Sequence, residues 1–284
     1  MRLSGAVVRA VTLCIAVTLA LSFAAACGDP KPVTVADRFT EILGHEPTGV
    51  AADVAKNGKI IIVNDADYAP QSSVDPKTGE STGFDVDVAR KVCEILGLEP
   101  QFKQTLPEGI PAGLKKGHYD VAIDSMMVTA DGARAATFTE PYYFTPGQVI
   151  IKKGGVQVES IDDLDGLTVG VLADTVLADF LRKHEGITSV TYLDEADLAA
   201  ALSDGTLKAA LVSATGAQTI IETTKHIEVS GKPVFYQPLA FATRRGEGDM
   251  VTLLNDTIAK MHADGSLSEL SQRWFGGLDL SVRE

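Results

Sequence analysis

The chain has 284 residues, with 25 lysines and arginines against 38 aspartates and glutamates, so its formal net charge is −13. This acidic balance disfavours nucleic acid and other anionic polymers as partners, and it suits a surface that attracts cationic or neutral solutes. Hydrophobic residues make up 45% of the sequence. A chain of this length and composition can fill two domains of about 100–150 residues each.

The N-terminus has the pattern of a secretory signal. Arg2 and Arg9 precede an uncharged apolar run over residues 10–26. This run is shorter than the roughly 20 residues of a permanent spanning helix and ends in small residues. We therefore predict a signal peptide at residues 1–26. Its removal takes away two arginines and no acids, which changes the formal charge from −13 to −15.

The cysteine that follows the signal is a candidate for lipidation. Three alanines lead directly into Cys27, and this sequence resembles a bacterial lipobox. We expect a lipid on Cys27 that anchors an exported protein to the outer face of the cytoplasmic membrane, followed by a tether over residues 27–58. The alternative is ordinary signal cleavage near Ala26.

The cysteine count excludes an internal disulfide after processing. Cys14 leaves with the signal and Cys27 is the lipid candidate, so Cys93 alone remains within the folded part. It lies beside the apolar stripe of a predicted helix and is interpreted as a small buried hydrophobe rather than a reactive thiol. The fold must then be held together by its core.

Two series of alternating strands and helices follow. After a short helix expected near residues 36–43, the first series has strands at 60–63, 101–103 and 121–123, with helices from 87 and at 110–116. The second begins after Pro146, with strands at 168–172, 190–193 and 209–212 and helices at 174–184, at 194–203 and from 213. This order predicts an α/β fold with two lobes, each built on a mostly parallel sheet.

Residues 83–96 join a turn glycine and an acidic helix start to an apolar stripe formed by Val88, Val92, Ile95 and Leu96. Asp85 and Asp87 lie near the positive helix N-terminus, where carboxylates cap free amides. For both aspartates we favour this structural role over contact with a ligand.

This segment resembles the signature of the family 3 extracellular solute-binding proteins, and the resemblance extends over residues 59–276. It implies a two-lobed periplasmic-binding-protein type II fold, in which two crossover strands near residues 143–149 and 236–242 form a hinge. Lobe 1 is expected at residues 59–145 with 243–284, and lobe 2 at residues 146–242.

The resemblance also implies a function. The family's receptors deliver amino acids and related polar solutes to ABC importers, so we expect a monomeric, non-enzymatic receptor that closes on its solute and docks on permease subunits. No cofactor is expected, and the five histidines lack metal-ligand spacing, so no metal or catalytic residue is assigned. Two alternatives remain open: a dehydratase-like enzyme on the same fold, and a sensory lipoprotein.

Candidate ligand-binding residues of lobe 1 follow two strands. In the family, the segment after the first strand supplies an acidic residue, here Asp65, and an aromatic cover, here Tyr68. The segment after the strand at 121–123 resembles the family's clamp for an α-carboxylate. It supplies Asp124, Ser125 and Thr129 as candidates.

The arginine of that clamp is displaced. With Thr129 in register, Gly132 occupies the family's arginine position, and the nearest arginine is Arg134. A guanidinium supplies the paired donors that a carboxylate prefers. Arg134 is therefore a candidate ligand, with a solvated helix charge as its alternative.

Lobe 2 departs from the family pattern as well. Ser213 stands where the family commonly presents an aspartate to an α-ammonium group, and Thr175 matches a family hydroxyl, with Asp174 beside it. Two hypotheses follow. If Asp65, Asp124 and Asp174 face the cleft, the solute is cationic or bears an amine. If they point away from it, the solute is an amino acid that is bound in a modified way, through Arg134.

Overall fold

The computed structural model describes residues 32–129 and 132–283. The predicted signal peptide and Cys27 lie outside the described residues. No helix within those two ranges is both long and apolar enough to cross a membrane.

The helices and strands alternate as the sequence predicts. The helices are α1 (Val35–Leu43), α2 (Gly49–Asn57), α3 (Phe84–Leu96), α4 (Ile110–Lys116), α5 (Gly132–Ala135), α6 (Val176–Arg182), α7 (Glu195–Asp204), α8 (Ala214–Thr223), α9 (Gly248–Ala263) and α10 (Ser266–Trp274). The strands are β1 (Lys59–Asn64), β2 (Asp67–Tyr68), β3 (Ser72–Val74), β4 (Ser81–Thr82), β5 (Glu99–Gln104), β6 (Val121–Met127), β7 (Ala136–Lys152), β8 (Thr168–Leu172), β9 (Thr188–Tyr192), β10 (Ala209–Ser213), β11 (Ile227–Val229) and β12 (Phe235–Arg244).

One large sheet runs through the protein in the order β5-β1-β6-β12-β7-β10-β8-β9, with β11 also paired to β7. Strands β5, β1 and β6 are parallel, and so are β10, β8 and β9. We call these the first and second parallel groups. Between them, β7 and β12 pair in antiparallel fashion along most of their length. The predicted α/β class is confirmed, and the two predicted crossover segments lie in this central pair.

Separate hydrophobic clusters flank the two parallel groups. In the first, Val88, Val92 and Leu96 of α3 are fully buried, as the stripe in the sequence predicts, and they pack with residues of α9 and α10. The second group is covered by one cluster around α6 and another around α7 and α8. The exact lobe boundaries stay a prediction.

Residues 35–57 are part of the folded body. Phe39 of α1 is fully buried and Val54 of α2 is 2% exposed, both within the first cluster. The hydroxyl of Thr48, just before α2, donates to Asp249 Oδ2 at 2.6 Å. The predicted tether therefore gives way to packed helices from Val35 onward, because these short helices carry apolar faces that cover the core.

Asp87 and Cys93 have structural roles in α3, although Asp87 accepts hydrogen bonds from side chains and does not cap helix amides as the sequence predicts. Asp87 Oδ2 accepts a hydrogen bond of 3.0 Å from Trp274 Nε1, which joins α10 to the start of α3. Cys93 is buried, and burial raises the pKa of its thiol to about 12. A thiol with so high a pKa carries little thiolate near neutral pH and is unreactive.

Candidate functional site

A cavity of about 590 Å³ lies beyond the carboxyl ends of strands from both parallel groups, where open α/β sheets bind their ligands. The central strands β7 and β12 complete its wall. Seven of the nine residues that the sequence proposes for ligand binding line this cavity: Asp65, Tyr68, Asp124, Ser125, Thr129, Thr175 and Ser213.

Two aspartates are neighbours in the cavity wall. Asp124 Oδ1 accepts a hydrogen bond of 2.6 Å from the backbone N–H of Asp65, and the two side chains are 5% and 8% exposed. Burial raises the pKa of Asp124 to about 6, and the neighbouring Asp65 carboxylate adds to this effect. The site therefore carries concentrated negative charge above about pH 6.

Tyr68 lies at the mouth of the cavity on the short strand β2. The residue is 45% exposed. Partial burial and the carboxylates of Asp85, Asp124 and Asp65 raise the pKa of its hydroxyl, which therefore remains protonated near neutral pH and available as a hydrogen-bond donor. This position fits the aromatic cover that the sequence predicts.

The hydroxyls on the opposite side cap helices. Thr175 Oγ1 accepts a hydrogen bond of 3.2 Å from the N–H of Ala178 in α6. Ser213 Oγ accepts one of 3.1 Å from the N–H of Gly216 in α8. These bonds satisfy helix amides that lack an intrahelical partner. Both residues therefore position helix N-termini at the cavity wall.

The other two proposed ligands, Arg134 and Asp174, do not line the cavity. Arg134 is exposed on α5, and its backbone carbonyl accepts a hydrogen bond of 3.2 Å from Arg245 Nη1. Asp174 is exposed at a turn with φ of 58° before α6. Gly132, at the position of the family's arginine, does line the cavity. The ligand-binding roles of all nine residues stay predictions.

Sequence reasoning did not identify the apolar part of the cavity. Its lining includes Met126, Met127, Phe138, Leu177 and Phe235. Inward-facing side chains of this kind cannot be told from core residues along a sequence, since both follow the same periodicity. No lysine, arginine or histidine is among the described residues that line the cavity. The site therefore combines two carboxylates with a mostly apolar wall.

Beneath the floor of the cavity lies the Asp85 carboxyl, which the sequence interprets only as a helix-start residue. It is fully buried and accepts hydrogen bonds from the hydroxyls of Tyr142 and Ser125. Burial raises its pKa to about 8, against the opposing effect of the Tyr142 hydrogen bond. A carboxyl with this pKa holds its proton at neutral pH.

The stability of the protein is expected to depend on pH through Asp85. Its pKa rises from 3.8 in the unfolded chain to about 8 on folding. The stabilising effect of the bound proton is therefore complete below about pH 4 and is lost as the pH rises through 8, by at most about 1.4 kcal/mol per pH unit. Asparagine at position 85 does not titrate. The free energy of unfolding of Asp85→Asn, measured with urea, should therefore increase relative to that of the wild type as the pH rises from 5 to 7. A difference independent of pH would contradict this assignment.

Comparison with known proteins identifies the class. Residues 60–277 match the sequence profile of the bacterial extracellular solute-binding proteins, family 3. The L-cystine-binding protein TcyJ of Escherichia coli is 31% identical over 231 residues, which cover 80% of this chain and 86% of the relative. A probable amino-acid ABC transporter-binding protein of Haemophilus influenzae is 28% identical over 234 residues, covering 80% and 88%.

A solved structure supports the same fold. The L-cystine solute receptor of Neisseria gonorrhoeae, in its unliganded open conformation, aligns with a TM-score of 0.69 at 22% identity. The alignment covers 83% of this chain and all of that chain.

The chain belongs to the bacterial extracellular solute-binding proteins of family 3. It is a solute receptor and not an enzyme, since the relatives it resembles along most of its length are binding proteins. Such receptors work outside the cytoplasm with ABC transporters.

Proposed function

We propose that this protein captures a small solute that has a protonated amine and an apolar body, and delivers it to the permease of an ABC importer. The observation that carries the proposal is the pairing of Asp65 and Asp124 in a cavity whose described lining has no positively charged side chain. A buried carboxylate pair favours a cation, because a charge taken out of water needs an opposite charge beside it.

The described lining has no guanidinium clamp for a carboxylate, and this restricts the class of solute that the cavity can bind. A bidentate guanidinium is the usual partner of a buried carboxylate, and Gly132 leaves its position in the described lining without one. A free α-carboxylate in this cavity would also meet the repulsion of Asp65 and Asp124. The apolar lining around Phe138 and Phe235 instead accommodates a hydrocarbon or aromatic body.

Closure of two lobes about β7 and β12 completes the proposal. The cavity lies between the ends of the two parallel groups, so a solute that contacts both groups is bound better when they approach each other. The closed form then docks on the permease. We further propose that the protein acts as an exported monomer held at the membrane by a lipid on Cys27.

Thermal unfolding of the chain without its predicted signal, residues 28–284, tests the solute class. A ligand that binds only the folded state raises the midpoint by mass action. We expect phenethylamine, tyramine or related monoamines to raise it, and L-phenylalanine and L-tyrosine to raise it less at equal concentration. Stabilisation by the amino acids alone would overturn the proposed class.

A second candidate solute is L-cystine. The observation in its favour is the 31% identity with the L-cystine-binding protein TcyJ along 80% of this chain. L-Cystine carries two ammonium groups but also two carboxylates, for which the described lining offers no cation. Its inclusion in the same thermal series separates the two candidates.

A further inference from the structure

Ser125 lines the cavity, yet its backbone N–H and its hydroxyl bind residues that do not line the cavity. Its backbone has φ of 48°, a left-handed conformation that is uncommon outside glycine, and its side chain is 7% exposed. The backbone N–H donates to the hydroxyl of Tyr142 at 3.1 Å. The side-chain hydroxyl lies 2.8 Å from Asp85 Oδ2 and 2.6 Å from the hydroxyl of Tyr143.

These contacts join distant parts of the chain beneath one point of the cavity floor. Asp85 begins α3, Ser125 ends the buried part of β6, and Tyr142 lies on the crossover strand β7. The Tyr142 hydroxyl also donates to Asp85 Oδ1. The oxygen of Ser125 is therefore held inward by two partners, whichever group carries the shared proton.

We propose that Asp85 and Tyr142 determine the selectivity of the cavity, because they hold the backbone amide and the hydroxyl oxygen of Ser125 inward and so withhold both groups from a carboxylate on the solute. This inference rests on the proposed function. It assigns Asp85 and Tyr142 as positioning residues, since neither lines the cavity and both act through Ser125.

Hydroxyls and backbone amides are donors with which a protein binds a carboxylate when no arginine is present. If both Ser125 donors faced the cavity, they would offset part of the repulsion from Asp124 and Asp65. Because the amide and the hydroxyl of Ser125 are held inward, the carboxylates of Asp65 and Asp124 dominate the electrostatics of this wall. The inward arrangement thus favours an amine over the amino acid that has the same side chain.

The test measures the ratio of affinities for phenethylamine and L-phenylalanine, which differ only in the carboxylate. Calorimetry is performed on residues 28–284 of the wild type and of Tyr142→Phe, a variant that removes one hydroxyl and releases the Ser125 N–H. We expect the preference for phenethylamine to fall by about tenfold in Tyr142→Phe. An unchanged ratio would overturn the inference, and a general loss of folding would lower both affinities instead of changing their ratio.

Variants of Asp85 distinguish the contribution of the Ser125 hydroxyl from that of its backbone amide. Asp85→Leu removes both oxygens while keeping the branched shape of the side chain, and it is expected to reduce the preference, whereas Asp85→Asn keeps an acceptor and should reduce it less. In a Ser125→Ala background, Asp85→Leu should have no further effect on the ratio, because no hydroxyl remains to be released.

Asp87→Asn, two residues along the same helix, is the matched control and should leave the ratio unchanged. Additive effects of Asp85→Leu and Ser125→Ala would show that Asp85 does not act through Ser125.

Hydrogen exchange tests the arrangement without any solute. The Ser125 amide should be protected in the wild type and exchange at least about tenfold faster in Tyr142→Phe. Rapid exchange in the wild type would overturn the inference by itself. A wild type that prefers L-phenylalanine despite a protected Ser125 amide would instead overturn the proposed solute class.

Discussion

Asp124→Asn is expected to weaken the binding of phenethylamine by about 30- to 150-fold, which corresponds to about 2 to 3 kcal/mol for a hydrogen bond to a charged group. The asparagine oxygen can still accept the N–H of Asp65, which Asp124 Oδ1 accepts at 2.6 Å, so the backbone is retained while the charge is removed. Titration calorimetry at pH 7.5 measures the change.

The same experiment has a pH dependence with a definite sign. Burial raises the pKa of Asp124 to about 6, so the carboxylate is ionised at pH 7.5 and largely protonated at pH 5. Wild-type affinity for the amine should fall as the pH falls through 6, and that of Asp124→Asn should change much less. Asp120→Asn is the control: Asp120 stands at the opposite end of β6, where it accepts the N–H of Ile61 at 2.8 Å. Equal losses in the two variants would contradict a role for Asp124 in binding the amine.

Gly132→Arg is expected to increase affinity for L-phenylalanine by at least about tenfold, because it places a guanidinium in the wall where the family's carboxylate clamp has one. A Cβ atom at this position would lie 3.1 Å from Phe138 Cζ and from Thr129 Oγ1. These are side-chain atoms, so a shift of a few tenths of an ångström accommodates the substitution. Phenethylamine should bind the variant more weakly, since the new charge opposes its ammonium group.

Gly248→Arg provides the matched control for added positive charge. A Cβ at Gly248 meets no atom within 4 Å, and this residue is exposed outside the cavity. Its substitution should leave both affinities unchanged. If Gly132→Arg and Gly248→Arg shift the two affinities equally, the effect arises from net charge and not from a clamp.

Much of the fold was predictable because its signals are local. The strand at residues 168–172 has the predicted bounds, and Thr175 and Ser213 cap the helices that follow their strands. Apolar periodicity and capping chemistry act within a few residues of the chain. The short helix expected near residues 36–43 is present as α1, but α2 and the packing of residues 35–57 on the core were not predicted, because they depend on contacts with distant elements such as α9.

Only part of the site was predictable, since tertiary contacts determine the direction in which each side chain points. Asp65 follows β1 and Asp124 lies within β6, and both line the cavity, whereas the turn before α6 leaves Asp174 exposed to solvent. The role of Asp85 was not visible in its helix, because its partner Tyr142 is 57 residues away along the chain. Spacing within a motif identifies a helix start, but it does not show what packs behind it.

Calorimetric titration of wild-type residues 28–284 with phenethylamine and with L-phenylalanine at pH 7.5 tests the central claim most directly. Recognition of an amine by Asp65 and Asp124, without a carboxylate clamp in the described lining, predicts that phenethylamine binds at least about tenfold more tightly. Tighter binding of L-phenylalanine, or of L-cystine in a parallel titration, would contradict it.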